Sequence, residues 1–220
     1  MTQPLDGPRL APASGGPARS LVVFLHGYGA DGNDLIDIGR AWAPEMPDTA
    51  FASPNAPHPC GMAPVGREWF PLTLRDPSEY RRGAVSAAPH LDGFLDAELA
   101  RLGLTDADLV LVGFSQGTMM ALHTAPRRPA ACAGIVGYSG LLPGPETLTA
   151  EAKVKPPVLL VHGDADQVVP PAMMPIAGEA LREAGFTVST HASRGLGHGI
   201  GPDGLRLGLD FAKERLAKAT

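Results

Sequence analysis

The sequence predicts an α/β protein, a mostly parallel, twisted sheet with helices on both faces. Three observations carry that prediction. Short apolar runs alternate along the chain with segments of helical period, which is the rhythm of βαβ units. The runs "LVLV" (109–112) and "VLLV" (158–161) are apolar at every position instead of every other one, as strands covered on both sides must be. A chain of 220 residues, 44% hydrophobic and 19% charged, is long enough to bury a sizeable core, and one domain over residues 1–220 is expected.

The elements follow in order. "PRLAPASGGPARSLVVF" reads as an opening hairpin with its turn at Gly15 and Gly16, on a weak first strand. "SLVVFLH" and "TAFAS" are the next two strands. Residues 54–83 are irregular, proline-rich and much longer than an ordinary connection, which marks a functional loop or a poorly ordered one. Its aromatics favour a functional, pocket-forming loop. Trp69 and Phe70, in "REWFPL", follow no helical or strand period, and fit the wall of a pocket and a small satellite core equally well. Leu91, Phe94, Leu95, Leu99 and Leu102 then form one helical stripe, and Met173, Ile176, Ala177, Ala180, Leu181 and Ala184 form another. Between and after them lie the strand runs "DLVLVGF", "AGIVGYS", "PVLLVHG" and "FTVSTHA".

Composition excludes several functions. A net charge of -5, with no basic run longer than Arg81-Arg82 or Arg127-Arg128, leaves no electrostatic footprint for nucleic acid or an anionic membrane. The first twenty residues hold Pro4, Pro8, Pro12 and Pro17 and no signal-peptide core, and no segment reaches transmembrane length, so a cytoplasmic protein without membrane insertion is expected. Cys60 and Cys132 have no CxxC spacing and read as two reduced thiols. Gly27, Gly29 and Gly32 of "HGYGADG" match GxGxxG. A dinucleotide site would need an acidic residue after the next strand, and "TAFASPNAP" has none.

The chemistry centres on "VLVGFSQGTMMAL". It contains GxSxG (113–117) between a buried strand and a helix, a tight turn that needs small flanking residues and lifts the Ser115 hydroxyl above the sheet edge. A serine hydroxyl is protonated at neutral pH, so it needs a general base and a group that holds the base's tautomer. The order Ser, then acid, then His is met: "LLVHGDADQVVP" offers Asp164 and Asp166, and "SRGLGHGIG" offers His198 on a glycine-rich loop after the last strand. His26, His123, His162 and His191 lie in or at the ends of regular elements and read as structural. His162, Asp164 and Asp166 could suggest a metal, yet no HExxH-like pair completes a tetrahedral site, so none is expected.

Through "FLHGYGADG", "WF", "GFSQG", "HGDADQVVP" and "GHGI", the chain resembles the α/β-hydrolase fold, and within it the phospholipase/carboxylesterase family that includes acyl-protein thioesterases. The likeness covers nearly the whole chain. Where acyl-protein thioesterases typically read HGLGDTG and GHE, this chain has "HGYGADG" and "GHGI", closer to the bacterial carboxylesterase branch. The resemblance implies a triad of Ser115, His198 and Asp166, with Asp164 at a variable position. It implies oxyanion donors at the backbone amides of Leu25 and Gln116. It implies an acyl pocket from the Trp69-Phe70 loop and from Leu141 and Leu142 of "YSGLLPG". No cofactor is required. The substrate class it implies is a short to medium acyl ester or thioester, with lysophospholipids among the candidates and homodimerisation an option. A serine peptidase on the same fold and a non-catalytic ligand-binding relative are the alternatives. Ester against amide substrates test the first, and Ser115→Ala the second.

Overall fold

The computed structural model describes residues 4–63, 65–73, 76 and 78–218. Its elements run β1 (Arg9–Leu10), β2 (Ser20–Leu25), α1 (Asn33–Trp42), β3 (Thr49–Ala52), β4 (His58–Pro59), β5 (Arg67–Glu68), α2 (Ser78–Leu102), β6 (Leu109–Phe114), α3 (Gln116–Thr124), β7 (Gly134–Tyr138), α4 (Pro145–Glu151), β8 (Val158–Gly163), α5 (Met173–Glu183), β9 (Val188–Ser193) and α6 (Pro202–Ala217). Seven strands form one sheet in the order β1-β3-β2-β6-β7-β8-β9, parallel throughout except for β1. All six strand runs read from the sequence lie in it.

Strand β2 shows why continuous apolar runs were the right signal. Successive strand side chains point to opposite faces. Leu21, Val23 and Leu25 therefore join one buried cluster with α2, α3 and α5, while Val22 and Phe24 join a second with α1 and α6. Both faces are dry.

Two local expectations are corrected. The opening hairpin does not form: β1 pairs antiparallel with β3, Arg9 opposite Ala52, because both edges of β2 are already taken by β3 and β6. The turn itself exists, with Gly15 at φ +73°, but it carries the chain past the start of β3, where Ser14 donates to the Pro47 carbonyl at 2.9 Å. The irregular stretch 54–83 is shorter than expected, since α2 begins at Ser78 and β4 and β5 form a small antiparallel pair inside it. The Asp76 carboxylate accepts from the Ser78 amide at 2.9 Å and from its hydroxyl at 2.7 Å, which supports that helix start. Pro89, inside the helix, had interrupted the pattern that would have revealed its first turns.

Cys60 and Cys132 are both buried free thiols. Among the described residues no helix is long and apolar enough to cross a membrane.

Candidate active site

Ser115 sits between β6 and α3 with φ +53° and ψ −114°, a conformation rarely adopted by a non-glycine residue. The turn is held because its flanks lack side chains. A methyl group on Gly117 would lie 1.8 Å from the Leu25 carbonyl oxygen, and one on Gly113 would lie 2.5 Å from the Gly117 backbone. The Ser115 amide donates to the Tyr138 carbonyl at 2.9 Å, tying the turn to β7.

The structure brings Ser115, His198 and Asp166 together. His198 Nε2 is 3.1 Å from Ser115 Oγ, and its Nδ1 is 2.8 Å from Asp166 Oδ2. Asp166 Oδ1 accepts the amides of Val168 and Val169 at 2.8 and 3.0 Å. Burial works to raise the Asp166 pKa, but the bond with His198 and the two amides outweigh it and hold the carboxyl below its usual range. An ionised carboxylate only accepts, so His198 Nδ1 carries the proton and Nε2 presents its lone pair to the serine.

The loop bearing His198 is fixed from several sides. Asp164 Oδ1 accepts the Gly195 amide at 2.6 Å, the Ala165 amide donates to the Leu196 carbonyl at 3.0 Å, and the Ser139 hydroxyl donates to the Gly199 carbonyl at 3.2 Å. Among the described residues Ser139 is the other non-glycine residue at positive φ, +46°. The Phe114 ring packs on the imidazole with centroids 4.9 Å apart. Asp164 thus serves the loop, while the hydrogen bond to the histidine comes from Asp166.

His162 and His191 are occupied elsewhere, and His123 Nδ1 is buried with no hydrogen-bond partner among the described residues. His162 Nε2 donates to the Val169 carbonyl at 3.0 Å and lies 3.1 Å from Asp166 Oδ2, bracing the turn that carries the acid. His191 meets Asp203 at 2.8 Å. His123 is buried, and burial followed by the nearby Arg127 charge lowers its pKa to about 4.

Leu25 is corrected as an oxyanion donor. It is fully buried and registered against Gly113 in the parallel ladder. The Phe24 carbonyl faces the β3 side, where the Ser53 hydroxyl donates to it at 3.4 Å. Successive peptide groups of a strand alternate in direction, so the peptide groups of Leu25 turn to β6 and its amide belongs to the sheet. The next turn leaves a different amide unpaired. Tyr28 N–H has no partner among the described residues, and a methyl group on the preceding Gly27 would lie 3.3 Å from Ser115 Cβ. The end of the apolar run at Leu25 was the signal that could have found it, because amides beyond a ladder are the free ones. The Tyr28 side chain faces Cys60 and Glu68; burial, then hydrogen bonds with both, raises its hydroxyl pKa. Gln116, the first residue of α3, has an amide without an intrahelical acceptor.

Trp69 and Phe70 are corrected as pocket walls. They are 0% and 2% exposed and belong to the core beside α2, so they offer a substrate no surface. They bond instead to the residues around Ser115: the Trp69 amide donates to Gln116 Oε1 at 2.9 Å, and Gln116 Nε2 donates to the Phe70 carbonyl at 2.7 Å. Leu141 and Leu142 do line a cavity, of about 630 Å³, together with Tyr80, Met173 and Ile176. Gly140, which precedes Leu141 in the chain, packs against the serine turn: an added methyl group there would lie 2.9 Å from the Ser115 carbonyl oxygen.

A family model described as phospholipase/carboxylesterase matches residues 11–215. A probable carboxylesterase of Oryza sativa subsp. japonica is 33% identical over 218 residues, covering 90% of this chain and 79% of its own. Acyl-protein thioesterase 1 of Schizosaccharomyces pombe is 31% identical over 169 residues, 73% of this chain and 74% of its own. Among solved structures, esterase PE8 superposes with a TM-score of 0.94 at 49% identity, over 97% of this chain and 100% of that one.

Proposed function

Since the chain belongs to the phospholipase/carboxylesterase family and is an ester or thioester hydrolase, we propose that it cleaves short to medium acyl esters or thioesters through Ser115, His198 and Asp166 as one catalytic domain. The observation that carries this reading is the unbroken line from Asp166 Oδ2 through both His198 nitrogens to Ser115 Oγ, 2.8 and 3.1 Å at its two steps.

In the proposed reaction His198 Nε2 takes the Ser115 proton as Oγ attacks the acyl carbonyl carbon, and the carbonyl oxygen becomes an oxyanion. The amides of Gln116 and Tyr28 are the donors proposed for that oxygen. His198 then returns the proton to the leaving alcohol or thiol, Asp166 having stabilised the imidazolium meanwhile. Water, deprotonated by the same nitrogen, attacks the acyl-enzyme carbonyl carbon; as the bond to Ser115 Oγ breaks, His198 returns that proton to Oγ and the acid is freed.

The cavity of about 630 Å³ bordered by Leu141 and Leu142 is the proposed acyl site, a volume within the roughly 300–1,000 Å³ usual for small-molecule pockets. Lysophospholipids are included on the strength of the family's name. A fluorophosphonate probe followed by peptide mass spectrometry tests the mechanism without assuming a substrate. A stoichiometric adduct on Ser115 that disappears in His198→Ala is expected. No adduct on folded protein would overturn the reading.

A further inference from the structure

We infer that Trp69 is a positioning residue that locks the two oxyanion amides into one register, an inference that rests on the hydrolase reading above. The amides of Gln116 and Tyr28 come from segments far apart in the chain. An oxyanion is stabilised only where both donors meet it at about 3 Å, so something must set the distance between the turn after β2 and the start of α3.

Direct packing sets part of it. A methyl group on Gly117 would lie 1.8 Å from the Leu25 carbonyl oxygen and 2.9 Å from that of His26, so the two segments already touch through backbone. Trp69 bonds to both. Its backbone N–H donates to Gln116 Oε1 at 2.9 Å on the α3 side, and its indole Nε1–H donates to the His26 carbonyl at 3.1 Å on the turn side. Gln116 answers through Nε2 to the Phe70 carbonyl at 2.7 Å.

Trp69, Gln116 and His26 have no exposed surface, so these bonds do not exchange with water and lose strength to nothing around them. His26 is held in turn. Its Nε2 accepts the Ala56 amide at 3.0 Å, which requires a neutral ring, and burial lowers its pKa in that direction. Ala56, Trp69 and Phe70 therefore bond to the segments around the site, and the tryptophan is where they join both donors.

Two variants test this. Trp69→Phe removes the indole N–H and keeps an aromatic ring; Gln116→Met removes the side-chain bonds, keeps the backbone amide, and carries the test should the first variant fail to fold. Competent sites are counted by fluorophosphonate titration, and kcat per titrated site, KM and the Ki of a trifluoromethyl ketone are measured. Ser115 Oγ adds to that ketone's carbonyl carbon, the serine proton passes to His198, and the carbonyl oxygen becomes the bound oxyanion.

The expected result is a fall of about 10- to 100-fold in kcat per titrated site and a matching rise in Ki. KM should stay within about twofold, the pattern of an interaction made only in the transition state. Fewer titratable sites with wild-type kcat at each would overturn the inference and make Trp69 a core residue only. An unchanged ketone Ki would overturn it equally. A wild-type chain with no label on Ser115 would instead overturn the hydrolase reading, and the inference with it.

Discussion

Arg128 and Asp166 are both buried charges, yet their surroundings are wired differently. Arg128, 3% exposed, meets Asp106 through Nε at 2.5 Å and Asp92 and Asp96 through its two terminal nitrogens at 2.8 Å each. Every branch of the guanidinium ends on a carboxylate, and the cluster closes. Asp166 spends one oxygen on two backbone amides, and the other, with His162 Nε2 also 3.1 Å away, leads through His198 to the half-buried Ser115 hydroxyl. That second chain ends on a group still free to react. Strain follows the same division: the two non-glycine residues at positive φ among the described residues, Ser115 and Ser139, both border the open chain. A saturated cluster holds a fold together, and an unsaturated one can move a proton.

The sharpest way to break this contrast is to remove the open end. Ser115→Ala is expected to lower kcat by about 10⁵-fold or more, and to move Tm by no more than about 2 °C, because no closed network is lost. Kinetics and a thermal melt on the same preparation check both halves, and substantial residual turnover would end the proposed mechanism. Cutting the closed cluster should do the reverse. Arg128→Met leaves three carboxylates facing one another, and a loss of about 3 kcal/mol in denaturant unfolding is expected, with kcat per folded molecule unchanged.

A smaller effect separates the clusters by pH. The Asp166 pKa is lowered in the fold, so its contribution to stability is present above the ordinary carboxylate range, near pH 4, and is lost as pH falls through the depressed value. Burial raises the Asp92 pKa, partly offset by its bond with Arg128, so the folded state holds that proton more tightly and stability rises as pH falls through the raised value. Asp166→Asn should therefore flatten the stability curve below about pH 4, and Asp92→Asn should alter it above that point. Unfolding curves at half-unit intervals from pH 3 to 6 would show whether the two windows separate; coincident changes would contradict the assignment.

The parts of the site that were legible in the sequence are those with local causes. "GFSQG" follows an apolar strand run and opens a helix, and glycine is demanded at 113 and 117 by backbone contacts on either side of Ser115. Asp166 and His198 could be found because parallel strands deliver their loops to one edge of the sheet in chain order. Where the reading failed, the decision lay between segments distant in sequence. Which amide after "LVVFL" is free depends on β2 pairing with β6 as far as Leu25. Whether Trp69 lines a pocket or braces the site depends on the carbonyl of His26 and the side chain of Gln116. The opening hairpin failed for the same reason, since β3 had taken the edge of β2 that it needed.

By itself, then, the amino-acid order determined the α/β architecture, the strained serine turn and the succession of serine, acid and histidine, because burial on two faces and a tight turn constrain residue types within a few positions. Only the tertiary structure decided which amide beyond the strand stays unpaired and which segments Trp69 bonds to. Backbone hydrogen bonds are assigned by pairing across the sheet, and an unpaired amide can be recognised only when every other claim on it is known.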